Sequence, residues 1–254
     1  MTTTTAHLRP SSPANLRDLG GIPVEGGVLR AGLALRSDDL STITPDDAAA
    51  LVRDGLASVI DLRSTAEVAL TGRGPLADLP VAYHHLPLIA HVGDSLEGRS
   101  VVPGHEAMGE IYARMVQQAA PQIVTALNVI AHSPGATAFH CAAGRDRTGV
   151  LAASLLLVLG AADDDIVADY ARTGPNMPAI MERTRPLVGA MFAALDVPYD
   201  AARTLALLDG PMEVSMRILL ERLRGDHGDP LSLLRAAGLG ADTTARLRAR
   251  ALAA

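Results

Sequence analysis

The sequence predicts an α/β fold with a helical C-terminal part, and three observations support this. Short apolar runs typical of buried strands alternate with helical patterns before residue 175. From Met177 onward, Pro and Gly interrupt a largely helical pattern. Hydrophobic residues make up 48% of the 254 residues and aromatic residues only 2%, so we expect a large core of aliphatic side chains.

Composition narrows the class of protein. The net charge is −6, and we expect no nucleic-acid partner because such proteins usually carry a basic face. A single cysteine allows no intrachain disulfide and fits a reducing compartment. The N-terminus has no apolar signal segment, and the longest apolar run, Val150–Leu159, is too short to span a bilayer. We therefore expect a cytoplasmic protein without a transmembrane segment, and we leave leaderless export and the oligomeric state open.

In the first half of the chain, the sequence pattern predicts a disordered tail followed by a helix and short strands. Residues 1–13 predict a disordered tail because they are rich in Thr, Ser and Pro, and residues 14–254 predict one domain. Thr44–Asp47 carries an N-cap, a first-position Pro and two acids, which predict a helix to about Arg53 that stops at Gly55. Two apolar runs then predict buried strands, at Ala57–Leu62 and Val81–Leu86.

The middle of the chain predicts a long loop followed by alternating helices and a strand. Residues Ile89–His105 show no periodicity and predict a loop long enough to be functional. The helical patterns lie at Glu106–Gln118, Gln122–Ala131, Gly149–Leu159 and Asp163–Arg172, and the strand lies at Thr137–His140.

The segment His140–Gly149, HCAAGRDRTG, lies between that strand and an apolar helix. A loop in this position turns successive backbone N–H groups inward, and the following helix N-terminus adds free donors and a positive dipole end. A dianionic phosphate fits such a cradle. The small residues Ala142, Ala143 and Gly144 leave its rim unobstructed.

Four side chains of this segment have predicted roles. Cys141 is a candidate nucleophile, because a cradle that binds phosphate also favours a thiolate. Arg147 lies at the far end of the loop, where its planar fork can hold two phosphoryl oxygens through the transition state. We expect Thr148 to donate a hydrogen bond to the Cys141 sulfur, and His140 to point away from substrate and order the loop.

The simpler alternative is a small buried cysteine before an ordinary helix. The combination of Cys141, a Gly-bearing loop, Arg147 and Thr148 between a strand and a helix favours catalysis. Asp61 and Arg63 end a predicted strand at the edge where open α/β sheets bind ligands. We interpret them as a supporting ion pair that ties the strand end to the loop. The histidines are scattered without ligand spacing, so we expect no metal and no cofactor.

The segment HCAAGRDRTG resembles the HCxxGxxR signature of protein tyrosine phosphatases, and the whole chain from about Asn15 resembles the bacterial tyrosine and lipid phosphatase family. This resemblance implies the tyrosine-phosphatase fold, with a mostly parallel central sheet flanked by helices, and a catalytic domain over residues 14–254. Further matching segments are Asn15–Gly21, Leu35–Ser37, Val59–Ser64 with Glu67-Val68, and Ile166–Tyr170.

Two departures from the family pattern concern the charges around the substrate. Members often have Lys where this chain has Arg145, and either side chain keeps a cation near the substrate phosphate. The family places an acidic Asp in the loop after a strand ending LPF or similar, whereas this chain has no acid in that register of Leu86–Asp94. We therefore predict Asp146 as the general acid, with Asp94 as the alternative.

The function expected from residues and resemblance is a cysteine-dependent phosphomonoester phosphatase with a phosphocysteine intermediate. The resemblance favours phosphotyrosine in proteins, with phosphoserine, phosphothreonine or phosphoinositides as further substrates. A small-molecule phosphate of secondary metabolism is an alternative, because the chain offers few aromatic rings to stack on phosphotyrosine. The absent family acid supports a second alternative, a pseudophosphatase that only binds phosphorylated partners. A rhodanese-like sulfurtransferase also places Cys in such a loop, but Arg147 followed by Thr148 favours phosphate.

Overall fold

The computed structural model describes residues 10–88, 104–194 and 210–252. In these ranges a five-stranded sheet has the order β1-β4-β7-β5-β6, and a separate hairpin is formed by β2 and β3. The strands are β1 Arg17–Asp18, β2 Pro23–Val24, β3 Gly27–Val28, β4 Ala34–Ser37, β5 Leu56–Asp61, β6 Ala82–His85 and β7 Ala136–His140.

The sheet is mostly parallel, as predicted. Strands β4, β7, β5 and β6 run parallel to one another, and β1 pairs antiparallel with β4 at one edge. The central strand β7 is buried along its whole length. At its carboxyl end, His140 pairs with Ser37 on one side and with Asp61 on the other. The carboxyl ends of three strands therefore meet at one edge of the sheet, where the HCAAGRDRTG segment begins.

Helices make up most of the rest of the described chain and confirm the predicted helical C-terminal part. They are α1 Pro45–Arg53, α2 Thr65–Thr71, α3 His105–Gln118, α4 Ala120–His132, α5 Asp146–Leu159, α6 Asp163–Ala171, α7 Met177–Ala194, α8 Glu213–His227, α9 Ser232–Ala236 and α10 Ala241–Leu252. None of them is both long and apolar enough to cross a membrane.

Helix α5 forms the centre of the core. Every residue from Thr148 to Leu159 is buried, and the helix packs against the sheet and against α3, α4, α6 and α10. It ends where Gly160 takes the left-handed conformation, at φ +78°, which Gly adopts without strain. It begins at Asp146, three residues before the predicted start at Gly149, so the polar residues Asp146–Thr148 form its first turn.

Helix α1 follows its predicted bounds, whereas α2 was not predicted. Thr44 Oγ1 accepts a hydrogen bond from Asp47 N at 3.1 Å, as an N-cap should. Helix α2 starts with a capping box, in which Ser64 N donates to Glu67 Oε2 at 2.7 Å and Glu67 N donates to Ser64 Oγ at 3.3 Å.

The boundary of the predicted disordered tail is corrected by the structure. Ser11 N donates to Thr42 O at 2.9 Å, and Ser12 Oγ donates to Asp47 Oδ2 at 2.7 Å. These bonds hold Ser11 and Ser12 against the domain, so the end of the predicted tail is ordered. Residues 1–9 of that prediction lie outside the described residues. So do residues 89–103 of the predicted long loop.

Candidate active site

The loop from β7 to α5 turns its carbonyl groups toward the surrounding chain. Ala142 O accepts a hydrogen bond from Asp39 N at 3.1 Å. Gly144 O accepts from Arg36 Nη2 at 2.9 Å and from Asn15 Nδ2 at 3.1 Å. In the described part of the chain, Gly149 N is the first amide after Cys141 that finds a protein acceptor. The amides in between have no protein acceptor among the described residues, so the loop predicted as a phosphate cradle has donors free for an anion.

Gly144 is required by the packing of this loop. Its φ is +67°, and a Cβ at this position would lie 2.5 Å from Ser37 O and 2.6 Å from Asp38 N. A side chain would therefore push the loop off the carboxyl end of β4. Glycine keeps the cradle seated on the sheet.

Cys141 and Thr148 lie at the two ends of the cradle and are both buried, Cys141 with 1% of its surface exposed. The hydroxyl of Thr148 has no hydrogen-bond partner among the described residues. The predicted hydrogen bond from Thr148 to the Cys141 sulfur is therefore not formed. The fully buried Thr148 hydroxyl is a free donor and acceptor inside the site.

Arg147 is held by a residue that the sequence analysis did not assign to the site. Its Nη1 donates to Glu67 Oε2 at 2.6 Å and its Nη2 donates to Glu67 Oε1 at 2.9 Å. Glu67 thus binds the Nη1–Nη2 end of the guanidinium and leaves the Nε–Nη2 edge available to other acceptors. The capping-box spacing of Ser64 and Glu67 indicates the start of a helix in the sequence. It does not indicate that Glu67 contacts Arg147.

The charge of Arg147 sets the ionisation of Glu67. Burial alone would raise the pKa of Glu67, but the adjacent guanidinium outweighs burial and lowers the pKa below its usual 4.5. Arg147 itself keeps its charge, because its electrostatic interactions with Cys141 and Glu67 outweigh the burial that would lower its pKa. The pair is therefore ionised across the physiological range.

Asp61 and Arg63 form the ion pair that the sequence predicts. Arg63 Nη2 donates to Asp61 Oδ2 at 2.6 Å and Arg63 Nε donates to Asp61 Oδ1 at 2.9 Å, and both residues are fully buried. Burial would raise the pKa of Asp61, but His140 and Arg63 hold it far below its usual value. Leu62 N donates to His140 O at 2.9 Å, so the cluster is continuous with the start of the cradle.

His140 faces this cluster rather than the cradle, as predicted. Its Nδ1 accepts a hydrogen bond from Leu40 N at 3.3 Å, and its Nε2 lies 3.7 Å from Asp61 Oδ2. Burial lowers the pKa of His140 below 6.5, although Asp61 opposes the shift. The hydrogen bond from Leu40 N makes Nδ1 an acceptor, so His140 orders the start of the loop.

A second buried network holds the opposite side of the loop. Asp169 on α6 accepts from Arg17 Nε at 2.9 Å and from Arg36 Nη1 at 2.5 Å. Arg36 also holds Gly144 O, so one guanidinium joins α6 to the cradle. Burial and the charge of Arg36 lower the pKa of Arg17 to about 10, which leaves it charged at neutral pH.

Asp146 and Arg145 lie at the junction of cradle and helix. Arg145 Nε donates to Asp146 Oδ1 at 2.9 Å, and Tyr112 Oη donates to the same oxygen. The Asp146 side chain is 27% exposed. Burial raises its pKa, but Arg145 and the Tyr112 hydrogen bond outweigh this and hold it below 3.8. The alternative acid, Asp94, lies outside the described residues.

No group of three or more His, Cys, Asp or Glu side chains in the described ranges is arranged to hold a metal ion. The structure thus brings together a cradle of free amides, a cysteine at its start and an arginine with one open edge at its end. Such a site can bind a phosphate group and present it to sulfur.

The known proteins that are similar to this chain point to one family. A family model described as the tyrosine phosphatase family matches residues 9–253. The triple specificity protein phosphatase PtpB of Mycobacterium tuberculosis is 30% identical over 92% of this chain and 95% of its own length. A tyrosine-protein phosphatase of Nostoc commune is 31% identical over 54% of this chain and 47% of its own length.

The chain belongs to the tyrosine phosphatase family. It is accordingly a phosphoric monoester hydrolase of the cysteine-dependent kind.

Proposed function

We propose that this protein dephosphorylates phosphotyrosine in proteins, with Cys141 as the nucleophile and Arg147 as the phosphoryl-binding arginine. The observation that carries the proposal is the cradle. It runs from a buried cysteine to a guanidinium whose Nη1 and Nη2 atoms are held by Glu67 while the Nε–Nη2 edge is left for two phosphoryl oxygens.

The first chemical step transfers the phosphoryl group to sulfur. The Cys141 thiolate attacks phosphorus, an S–P bond forms and the bond from phosphorus to the leaving oxygen breaks. Asp146 gives its proton to that oxygen. The loop amides, Arg145 and Arg147 neutralise the charge on the other three phosphoryl oxygens as the group flattens.

The second step returns the enzyme to its starting state. A water molecule gives a proton to the Asp146 carboxylate and attacks phosphorus, the S–P bond breaks, and inorganic phosphate leaves. The sulfur departs as a thiolate. The buried Thr148 hydroxyl has no hydrogen-bond partner among the described residues, so it is free to serve as a donor to that thiolate.

The lowered pKa of Asp146 bears on its role as an acid. In the free enzyme the carboxyl is ionised at neutral pH. A dianionic phosphate in the neighbouring cradle raises this pKa, because like charges disfavour ionisation. We therefore place the acid form in the enzyme–substrate complex. The dianion engages Arg145 and Arg147 and weakens their hold on the Asp146 charge.

Substrate choice is the finer part of the proposal. The family and both relatives support a phosphotyrosyl substrate, and the name of the mycobacterial relative supports more than one class of phosphoester. A phosphoester of a small metabolite is the alternative outcome. It would show as a kcat/KM far above that of every phosphopeptide.

The test is a substrate panel run with the wild type and Cys141→Ser. We expect the wild type to hydrolyse phosphotyrosyl peptides in the presence of EDTA. We expect Cys141→Ser to lose on the order of a thousandfold or more of kcat while still binding phosphopeptide, because a serine hydroxyl is a far weaker nucleophile here. Hydrolysis by Cys141→Ser near the wild-type rate, or loss of wild-type activity in EDTA, would contradict the mechanism. Thiosulfate turnover without phosphatase activity would favour a sulfurtransferase.

A further inference from the structure

Two buried tyrosines from different helices stand behind Asp146. Tyr112 on α3 and Tyr170 on α6 lie with ring centroids 6.1 Å apart in an edge-to-face arrangement. Their hydroxyl oxygens are 2.8 Å apart, and the Tyr112 hydroxyl also contacts Asp146 Oδ1. Both side chains are almost fully buried. Neither residue belongs to the HCAAGRDRTG segment.

The direction of this hydrogen-bond chain is fixed by counting protons. An ionised carboxylate only accepts, so Tyr112 gives its single proton to Asp146 Oδ1. The hydrogen bond between the tyrosines must then be donated by Tyr170 to Tyr112. Proton donation therefore runs one way, from Tyr170 through Tyr112 to Asp146, and each donor strengthens the next.

We propose that Tyr112, supported by Tyr170, is the positioning residue that holds and tunes the general acid Asp146. This inference rests on the acid role proposed above for Asp146. Tyr112 and Arg145 both bind Oδ1, which leaves Oδ2 as the oxygen free to carry the proton. The Asp146 side chain is 27% exposed, so it is not sealed off from solvent.

The groups that face Asp146 oppose each other electrostatically. Tyr112 comes from α3 and Tyr170 from α6, while Arg145 and Arg147 come from the cradle itself. Both arginines favour the carboxylate through their charge and Tyr112 favours it through its hydrogen bond. Burial favours the neutral acid and also raises the pKa of Tyr112, so the tyrosine stays protonated and remains a donor. When phosphate engages the arginines, the Tyr112 hydrogen bond is the contact that keeps the carboxyl in place.

Removing the Tyr112 hydroxyl separates two effects. Without its hydrogen bond the charged form of Asp146 loses a stabilising contact, so the basic limb of the kcat profile moves to higher pH. The carboxyl also loses a fixed position, so proton transfer to a basic leaving group slows, by about tenfold. A good leaving group departs without protonation, so the rate of its hydrolysis should change little.

The experiment measures pH–rate profiles of Tyr112→Phe with a phosphotyrosyl peptide and with para-nitrophenyl phosphate. We expect the basic limb to move upward, and the plateau to fall for the peptide much more than for the nitrophenyl ester. Tyr170→Phe should shift the limb in the same direction by less. Tyr83→Phe is the matched control, because Tyr83 gives its hydroxyl proton to Asp61 at 2.8 Å instead, and its basic limb should stay in place.

Asp146→Asn distinguishes failure of this inference from failure of the proposed acid. If Asp146→Asn removes the basic limb and Tyr112→Phe leaves both limb and leaving-group dependence unchanged, the Tyr112 inference is overturned and the acid role stands. If Asp146→Asn leaves the limb in place, the acid lies elsewhere and the Tyr112 inference falls with it. Support requires that Tyr112→Phe has no further effect in the Asp146→Asn background.

Discussion

Two buried arginines of this enzyme, Arg63 and Arg147, both donate hydrogen bonds to residues of α2, but they differ in how many of their donors the protein uses. Arg63 is completely buried, and each of its three guanidinium nitrogens donates to protein atoms. Arg147 is 11% exposed, and its described hydrogen bonds go to Glu67 alone. The acceptors around Arg63 are Asp39, Ser41, Asp61, Thr71 and Gly72.

This difference separates an arginine that holds the fold from one that can bind a ligand. A guanidinium has five N–H donors, and those of Arg63 are committed to protein acceptors. Glu67 takes two donors of Arg147 and fixes the plane of the fork, which leaves the other edge for phosphoryl oxygens. Burial alone therefore does not distinguish the two roles, but the number of unused donors does.

The largest expected effect is the loss of stability on substituting Arg63. Arg63→Met removes the cation from a cluster that holds the buried carboxylates of Asp39 and Asp61, so about 3–5 kcal/mol of unfolding free energy should be lost. Urea denaturation measures this loss. A loss below about 1 kcal/mol would mean that water or a rearrangement satisfies the two carboxylates. It would contradict the structural role given to Arg63.

Arg147→Lys should mainly affect catalysis. A lysine keeps the charge but cannot hold two oxygens in one plane, so kcat/KM should fall by about a hundred- to a thousandfold. Urea denaturation of the same variant should show a much smaller loss than Arg63→Met. Kinetics within a few-fold of the wild type would show that the open edge of Arg147 does not bind the phosphoryl group.

Glu67→Gln tests whether the ion pair between Glu67 and Arg147 contributes to kcat. Glutamine keeps the size of the side chain and still serves a capping box, but it loses the charge that pairs with Arg147. We expect kcat to fall by about tenfold because the fork is less well oriented. Ser64→Ala is the matched control, which should cost about 1 kcal/mol of stability and leave kcat near the wild-type value. Equal kcat values for the two variants would contradict the positioning role of Glu67.

The smallest expected effect is on the pH dependence of stability. The folded-state pKa of Asp61 is depressed, so its stabilising contribution is present above the unfolded pKa and is lost as pH falls through the folded pKa. Asp61→Asn should therefore be less stable than the wild type at pH 7, and the difference should shrink as pH is lowered below about 4. Urea denaturation at several pH values measures this. A difference that stays constant with pH would mean that Asp61 does not act through its charge.

The fold class and the core of the site could be predicted from the sequence because their signals are local. The alternation of strands and helices, the Thr44 cap and the HCAAGRDRTG segment each lie within a few residues. The structure confirms the mostly parallel sheet, the strand–loop–helix setting of Cys141 and the ion pair between Asp61 and Arg63.

The remaining parts depend on contacts between distant segments. Glu67 and Arg147 are 80 positions apart, and Tyr112 and Asp146 are 34 apart, so no local pattern links them. The predicted hydrogen bond from Thr148 to Cys141 is not formed. The sequence motif places the two residues in one loop, but it does not fix which way the Thr148 hydroxyl points. The catalytic roles of Cys141, Arg147 and Asp146 stay predictions until variants are assayed.

The most direct test of the account is to trap the enzyme during turnover. Acid quench within the first turnover of a phosphotyrosyl peptide, followed by peptide mass spectrometry, should find one phosphoryl group on the peptide that contains Cys141. Arg147→Lys should accumulate it more slowly, and Cys141→Ser should not form a thiophosphate. Rapid wild-type hydrolysis with no phosphoryl group on Cys141, or with the group on another residue, would contradict the mechanism.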